Sequence, residues 1–218
     1  MTTKEFKIAE NTRRIAGLLA EKMPHLDFAI WDLSEFMHTF HNVRRNMIFI
    51  ECEEVARKEV ISKLADEPKL RGYIVYSGGR KPKAINEEWA SARSTEEIRS
   101  VIVVLSRKDF AETMKLGESI RVPSIERRLV DLMAYALKGY LPIGFDEAID
   151  ATIWYLKRGE LRMTALQRYA TRKYLGWFVD ILIFKLEEKG VVSAASVDPR
   201  YLENGRRYFE AIKRVDEI

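Results

Sequence analysis

Near residue 120 the spacing of apolar side chains changes from that of strands to that of helices, and a fold for this chain has to bury both patterns. Before the change, residues 28–32, 46–53, 73–76 and 101–105 form short runs rich in β-branched and aromatic side chains. Turn or charged residues bound each run, which is the pattern of strands. The second run, Asn46-Met-Ile-Phe-Ile-Glu-Cys-Glu53, is apolar on consecutive positions, as a strand inside a sheet must be. Two helices belong with these strands. Residues 5–22 carry Ile8, Ile15, Leu18 and Leu19 on one stripe that ends before Pro24, and read as an amphipathic lid or dimer element. A charged helix covers residues 54–64.

After the change the period is helical. From Val122 onwards Ile125, Leu129, Leu132, Met133 and Ala136 share one face of a helix whose start Ser124 can cap and whose end Gly139 can terminate. Phe145, Ile149, Thr152, Ile153 and Leu156 mark a second helix, with Asp146 and Glu147 near its positive end. A third spans residues 163–174. A fourth, residues 175–189, is apolar nearly all round and is expected to be the hub of this half. Gly176 is expected to permit close helix packing there. A last short helix, about residues 206–215, packs either on its own chain or on a partner copy.

The expected fold is therefore α/β, a small mixed sheet covered by helices and followed by a C-terminal helical subdomain. The expected division is 1–120, 121–190 and a tail at 191–218, together one compact domain. A length of 218 residues with 47% hydrophobic and 32% charged side chains suffices for a core of its own. Cys52 is the only cysteine, so a disulfide or a cysteine-rich zinc site within the chain is excluded and a reducing compartment, the cytoplasm, is expected. The longest oily stretch, residues 175–186, is short for a bilayer and carries Asp180, so no membrane segment is expected. A single glutamine, Gln167, beside abundant Glu, Lys and Arg, is a bias of hot-growing organisms.

Two sets of residues carry candidate enzyme chemistry. Glu51 and Glu53 lie two apart at the end of a strand, where alternation points both to one face and lets them share a divalent cation such as magnesium. Nucleotidyltransferases hold metal in this way, with a Gly-Ser turn for the phosphates; here Trp31-Asp-Leu-Ser-Glu-Phe36 has Ser34 without the glycine. The competing reading leaves both glutamates in water at a strand end, or at the start of the next helix. The turn Ser77-Gly-Gly-Arg-Lys-Pro-Lys83 offers Arg80, Lys81 and Lys83 to phosphate, without the spacing of a P-loop or dinucleotide fingerprint. His38 and His41 lack a third ligand, and alternation turns Cys52 away from the glutamates towards the core. No catalytic residue and no resident cofactor are assigned.

A formal charge of +4 permits nucleic-acid contact without demanding it, so the distribution of charge decides. Lys157, Arg158, Arg162, Arg168, Arg172 and Lys173 stand against Glu160 alone. On the third helix Arg168 and Arg172 share a face opposite Met163, Leu166, Ala170 and Tyr174, which makes a cationic ridge with Tyr169 nearby. Arg168, Arg172 and Lys173 on the ridge, with Arg80, Lys81 and Lys83 on the turn, are the candidate phosphate contacts. The competing reading is a solvated helix face whose arginines pair with acids elsewhere.

Val122-Pro-Ser-Ile-Glu-Arg-Arg-Leu-Val-Asp131 is similar to the segment around a Glu-Arg-x-Leu-Val-Asp helix in AbiEi-type antitoxins. Residues 166–176, with Tyr169-Ala170, Arg172 and Leu175-Gly176, resemble a later part of the same antitoxin domain, and residues 31–60 resemble its uncharacterised prokaryotic relatives. The resemblance implies a transcriptional autoregulator of a toxin-antitoxin, phage-defence system. Such a protein is encoded beside a nucleotidyltransferase toxin and counters it without a stable complex. The family's winged helix has no counterpart in residues 1–25, which are too few for one. Arg127 and Asp131, four apart, are read as an intrahelical pair. The expected function is that of an antitoxin-like or regulatory protein with non-specific nucleic-acid contact. Its rivals are a divergent nucleotidyltransferase using Glu51 and Glu53 on magnesium, and a protein-interaction module that docks through its terminal helices.

Overall fold

The computed structural model describes residues 8–36, 46–78, 100–107, 110–116, 119–137, 141 and 143–216. The chain forms two compact units, Met1–Ser124 with Tyr135–Gly144, and Ile125–Ala134 with Phe145–Ile218. The turn cations Arg80, Lys81 and Lys83, the histidines His38 and His41, and Gly139 lie outside the described residues.

The first unit is built on a six-stranded mixed sheet of β1 (Phe28–Asp32), β2 (Met47–Cys52), β3 (Tyr73–Ser77), β4 (Ser100–Ser106), β5 (Thr113–Lys115) and β6 (Ile120–Pro123). The strand order is β3-β4-β2-β1-β6-β5. β1 runs antiparallel to β2 with Trp31 opposite Phe49, whereas β2 and β3 are each parallel to β4. Every residue of β1 and β2 is buried, as central strands require. Alternation sorts their side chains. Phe28, Ile30, Ile48, Ile50, Cys52, Ile102 and Val104 face one core, which α1 (Glu10–Lys22) covers with Ile15, Ala16 and Leu19 and α2 (Glu54–Ala65) covers with Val60 and Leu64. Helix α1 is thus a layer of its own chain's core rather than a lid; a fully buried Leu19 stabilises this packing by about 1.5–3 kcal/mol.

Strands β5 and β6 are the two that the apolar pattern does not reveal. β6 is four residues long and only half buried, and it adds to the sheet in parallel with β1, Phe28 pairing with Ile120. The helix whose start Ser124 is expected to cap begins at Ile125. Pro123 helps to keep Val122 in the strand before it, since proline disfavours helical geometry in the preceding residue.

The second unit is helical. It holds the first ten residues of α3 (Ile125–Leu137), then α4 (Phe145–Lys157), α5 (Met163–Arg172), α6 (Gly176–Glu188) and α7 (Pro199–Asp216). α6 buries Phe178, Val179, Ile181, Leu182, Phe184 and Leu186 and packs on α4, α5 and α7, the hub that its all-round apolarity predicts. α7 starts with Pro199 in its first turn and runs well N-terminal of the segment expected at 206–215. Gly205 lies inside it, although glycine is a poor helix former. A Cβ there would collide with the Asp180 carbonyl oxygen and come 2.7 Å from the Phe184 Cβ, so glycine lets α7 close onto α6. Gly176 has no such role, since its added Cβ would meet only the Thr171 Oγ1, at 3.9 Å. No described helix is long and apolar enough to cross a membrane.

Candidate nucleic-acid interface

Helix α5 is amphipathic in the strict sense. Ala165, Leu166, Tyr169 and Ala170 are buried, while Thr164, Gln167, Arg168, Thr171 and Arg172 are exposed. Arg168 and Arg172 are one helical turn apart on that exposed side, as the spacing predicts. Two cations that precede the helix are held by acids: Arg158 donates to Glu160 at 2.9 Å and lies 4.4 Å over the Trp154 ring, and Arg162 donates to Glu126 at 3.2 Å. Lys173 is half-buried, its ammonium 5.4 Å from the centre of the Tyr169 ring.

The two tyrosines of this segment exchange the places expected of them. Tyr169 is no part of the surface. It is 2% exposed, and its hydroxyl donates to the Asp131 carboxylate at 3.2 and 3.3 Å. Arg127 faces the same ring at 5.8 Å and pairs with Asp131 at 3.5 Å. The i,i+4 pair read from the sequence is therefore real, and it is buried: Arg127, Asp131 and Tyr169 form a polar cluster that ties α3 to α5. Opposite charges so deeply buried persist because each compensates the other. Tyr174, expected on the apolar side of the helix, is instead 91% exposed just beyond its end.

The local reason is the way α5 terminates. The Leu175 amide donates to the Ala170 carbonyl at 2.8 Å and the Tyr174 amide to the Thr171 carbonyl at 3.1 Å. These are the two bonds of a Schellman motif, which places Tyr174 at the position that takes left-handed geometry. Its φ is +58°. Glycine ordinarily stands there, because a Cβ is crowded at positive φ. A run of Arg172, Lys173 and Tyr174 thus leaves the helix with two cations and an exposed ring.

The carboxylate site read from the sequence takes a different form. Glu51 is fully buried on the sheet face opposite the α1 and α2 core. Arg107, which follows β4, donates from Nε to Oε2 at 2.8 Å and from Nη2 to Oε1 at 3.2 Å, and the Trp31 indole nitrogen donates to Oε1 at 3.2 Å. Arg107 also donates to the Tyr135 hydroxyl at 3.3 Å. Tyr135 stacks with Phe49 and Trp31, with ring centres 5.3 and 6.2 Å apart, and Trp31 and Phe49 stack at 4.3 Å. Glu53 is elsewhere: it is exposed, past the end of β2 and at the N-cap of α2. The two glutamates therefore do not converge, and Glu51 is already neutralised by a guanidinium. No group of three metal-ligating side chains occurs among the described residues.

Among the described residues, the other candidate anion contacts, Ser34 and Gly78, are likewise engaged. Ser34 hydrogen-bonds through both its amide and its hydroxyl to Asp32, whose other oxygen accepts from the Ala9 amide at 3.1 Å. The Gly78 amide donates to the Val104 carbonyl at 2.6 Å, and its carbonyl accepts from Arg57 at 2.9 Å. Gly78 and Ser34 thus serve the sheet and its strand ends. Cys52 is buried, and loss of solvation pushes its thiol up to about 11, as for a core residue.

A family model matches residues 2–183, which is nearly all of the sheet unit and the helical unit as far as α6. The chain belongs to DUF6577, a family of unknown function. No curated protein and no solved structure matches it significantly. Helix α7 lies beyond the residues matched to DUF6577, whereas the ridge, Tyr174 and the Glu51–Arg107 pair all lie within them.

Proposed function

We propose that this DUF6577 member is an antitoxin-like regulatory protein that acts by recognition and touches nucleic acid through the exposed side of α5. The observation that carries the reading is the pair Arg168 and Arg172, exposed one turn apart on a helix whose other side is buried. Guanidinium groups so placed match the spacing and charge of backbone phosphates and carry no base-edge specificity by themselves. The likeness of residues 122–131 and 166–176 to AbiEi-type antitoxins supplies the biological setting, in which the partner is a nucleotidyltransferase toxin encoded nearby. In this reading the protein is cytoplasmic and needs no cofactor.

The test is binding of the purified protein to labelled duplex DNA and structured RNA across a salt series, wild type against an Arg168→Ala, Arg172→Ala double variant. Each arginine that ceases to neutralise a phosphate lowers the slope of log affinity on log salt by about 0.9 on duplex DNA, so the double variant should give up nearly two units of slope. Absence of binding at low salt would retire the reading and direct attention to a protein partner.

A further inference from the structure

We propose that Tyr174 is a stacking platform for an unpaired base, so that the α5 ridge takes single-stranded nucleic acid in preference to duplex. The proposal rests on the ridge reading above and specifies its ligand.

Three observations carry it. Tyr174 is 91% exposed, so packing does not explain an aromatic side chain at this position. Its backbone is held at φ +58° by the Schellman hydrogen bonds of α5, a geometry that glycine adopts without strain and tyrosine does not. It follows directly on Arg172 and Lys173, at the place where the cationic side of the helix ends. An exposed ring on a strained and well-defined turn is held in position at a cost, and the charge beside it selects a polyanion. Single strands meet both needs, with a phosphate backbone for the cations and bases whose faces are accessible to a ring. In a duplex the bases are stacked on each other and their faces are closed to the protein. The neighbouring aromatic, Tyr169, cannot serve, because it is buried with its hydroxyl on Asp131.

The experiment uses the full chain with a short labelled strand, as DNA and as RNA, and the duplex of the same sequence. The variants are Tyr174→Ala, Tyr174→Phe and the Arg168→Ala, Arg172→Ala pair. Tyr174→Ala is expected to weaken binding of the tighter single strand roughly tenfold or more while duplex affinity and the salt slope stay as they were. Tyr174→Phe should retain the wild-type affinity, since the ring and not the hydroxyl stacks. The arginine pair should instead reduce the salt slope on every nucleic acid. Equal weakening on strand and duplex in Tyr174→Ala, or none at all, overturns the platform while leaving the ridge in place. A wild-type protein that binds none of the three at low salt overturns the ridge and the platform together.

Discussion

The Arg107 guanidinium grips the Glu51 carboxylate with two nitrogens, Nε at 2.8 Å and Nη2 at 3.2 Å, on a carboxylate that has no exposure of its own. β2 and β4 are parallel, and the Arg107 amide donates to the Cys52 carbonyl at 2.8 Å, so residues far apart in sequence leave the sheet at the same end. The Trp31 indole also donates to the anion.

Removal of one partner should therefore be far worse than removal of both. Arg107→Ala leaves a buried carboxylate without its cation and is expected to cost about 3–5 kcal/mol of stability. The Glu51→Gln, Arg107→Met double variant should recover much of that loss. Urea unfolding of wild type and the two variants decides the matter; an Arg107→Ala protein as stable as wild type would show that solvent reaches Glu51.

Gly205→Ala should be among the most damaging small substitutions in the helical unit. The new methyl would meet the Asp180 carbonyl and the Phe184 Cβ, backbone and rigid side-chain root, neither of which can swing away. A loss of about 1–3 kcal/mol is expected from overpacking, although alanine is the better helix former. Gly176→Ala, at a position with ordinary clearance, is the control and should be nearly neutral. Thermal melts of both variants check the contrast.

Two aspartates should shape the pH dependence in opposite directions. The hydrogen bond from Arg121, at 2.6 Å, holds the Asp27 carboxyl below the ordinary aspartate range. The unfolded chain then binds more protons than the folded one between the two values, so this contribution is present above the ordinary value and lost as pH falls through the folded one. Burial raises Asp180 instead, so the folded chain holds the proton more tightly and stability falls as pH rises through the raised value, where the buried carboxylate becomes charged. Asp180→Asn should stabilise the protein at neutral pH and leave it unchanged at pH well below the aspartate range, while Asp27→Asn should weaken it at neutral pH alone. Urea midpoints across pH measure both; an Asp180→Asn variant weakened at every pH would refute the burial account.

Tyr174→Gly should make the protein more stable. The side chain is almost wholly in water, so little packing is given up, and the strain of positive φ is relieved. Allowing for the greater entropy of glycine in the unfolded chain, a net gain of about 0.5–1 kcal/mol is expected. A chain of this size should respond with a rise of about 1–4 °C in Tm. A fall in Tm would mean that the ring packs on the protein after all.

Much of the architecture was legible in the chain alone, and the reason is periodicity. β1–β4 and α2 fall within two residues of where their apolar spacing put them, as do α4, α5 and α6, because one buried face imposes a repeat that local sequence must carry. The pattern also sorted Cys52 into the core and paired Arg127 with Asp131. What depended on a neighbour distant in sequence was invisible. The edge strand β5 and its neighbour β6, three and four residues long, are too short to announce themselves. The role of Gly205 shows only when α6 is laid against it.

The same division holds for the candidate sites. The exposed pair Arg168 and Arg172 follows from helical spacing, which is a local property. Glu51 and Glu53 looked equivalent by alternation, but the strand ends at Cys52, so one glutamate is buried against an arginine supplied by another strand and the other stands at a helix start in water. Tyr169 and Tyr174 likewise traded places because a hydrogen-bonded helix end, with its turn to positive φ, cancels the 3.6-residue repeat beyond it. Sequence by itself determined which residues prefer burial and at what repeat; only the tertiary structure decided which charges meet, because an ion pair depends on strand order and chain reversal, and those arise from contacts that no local pattern encodes.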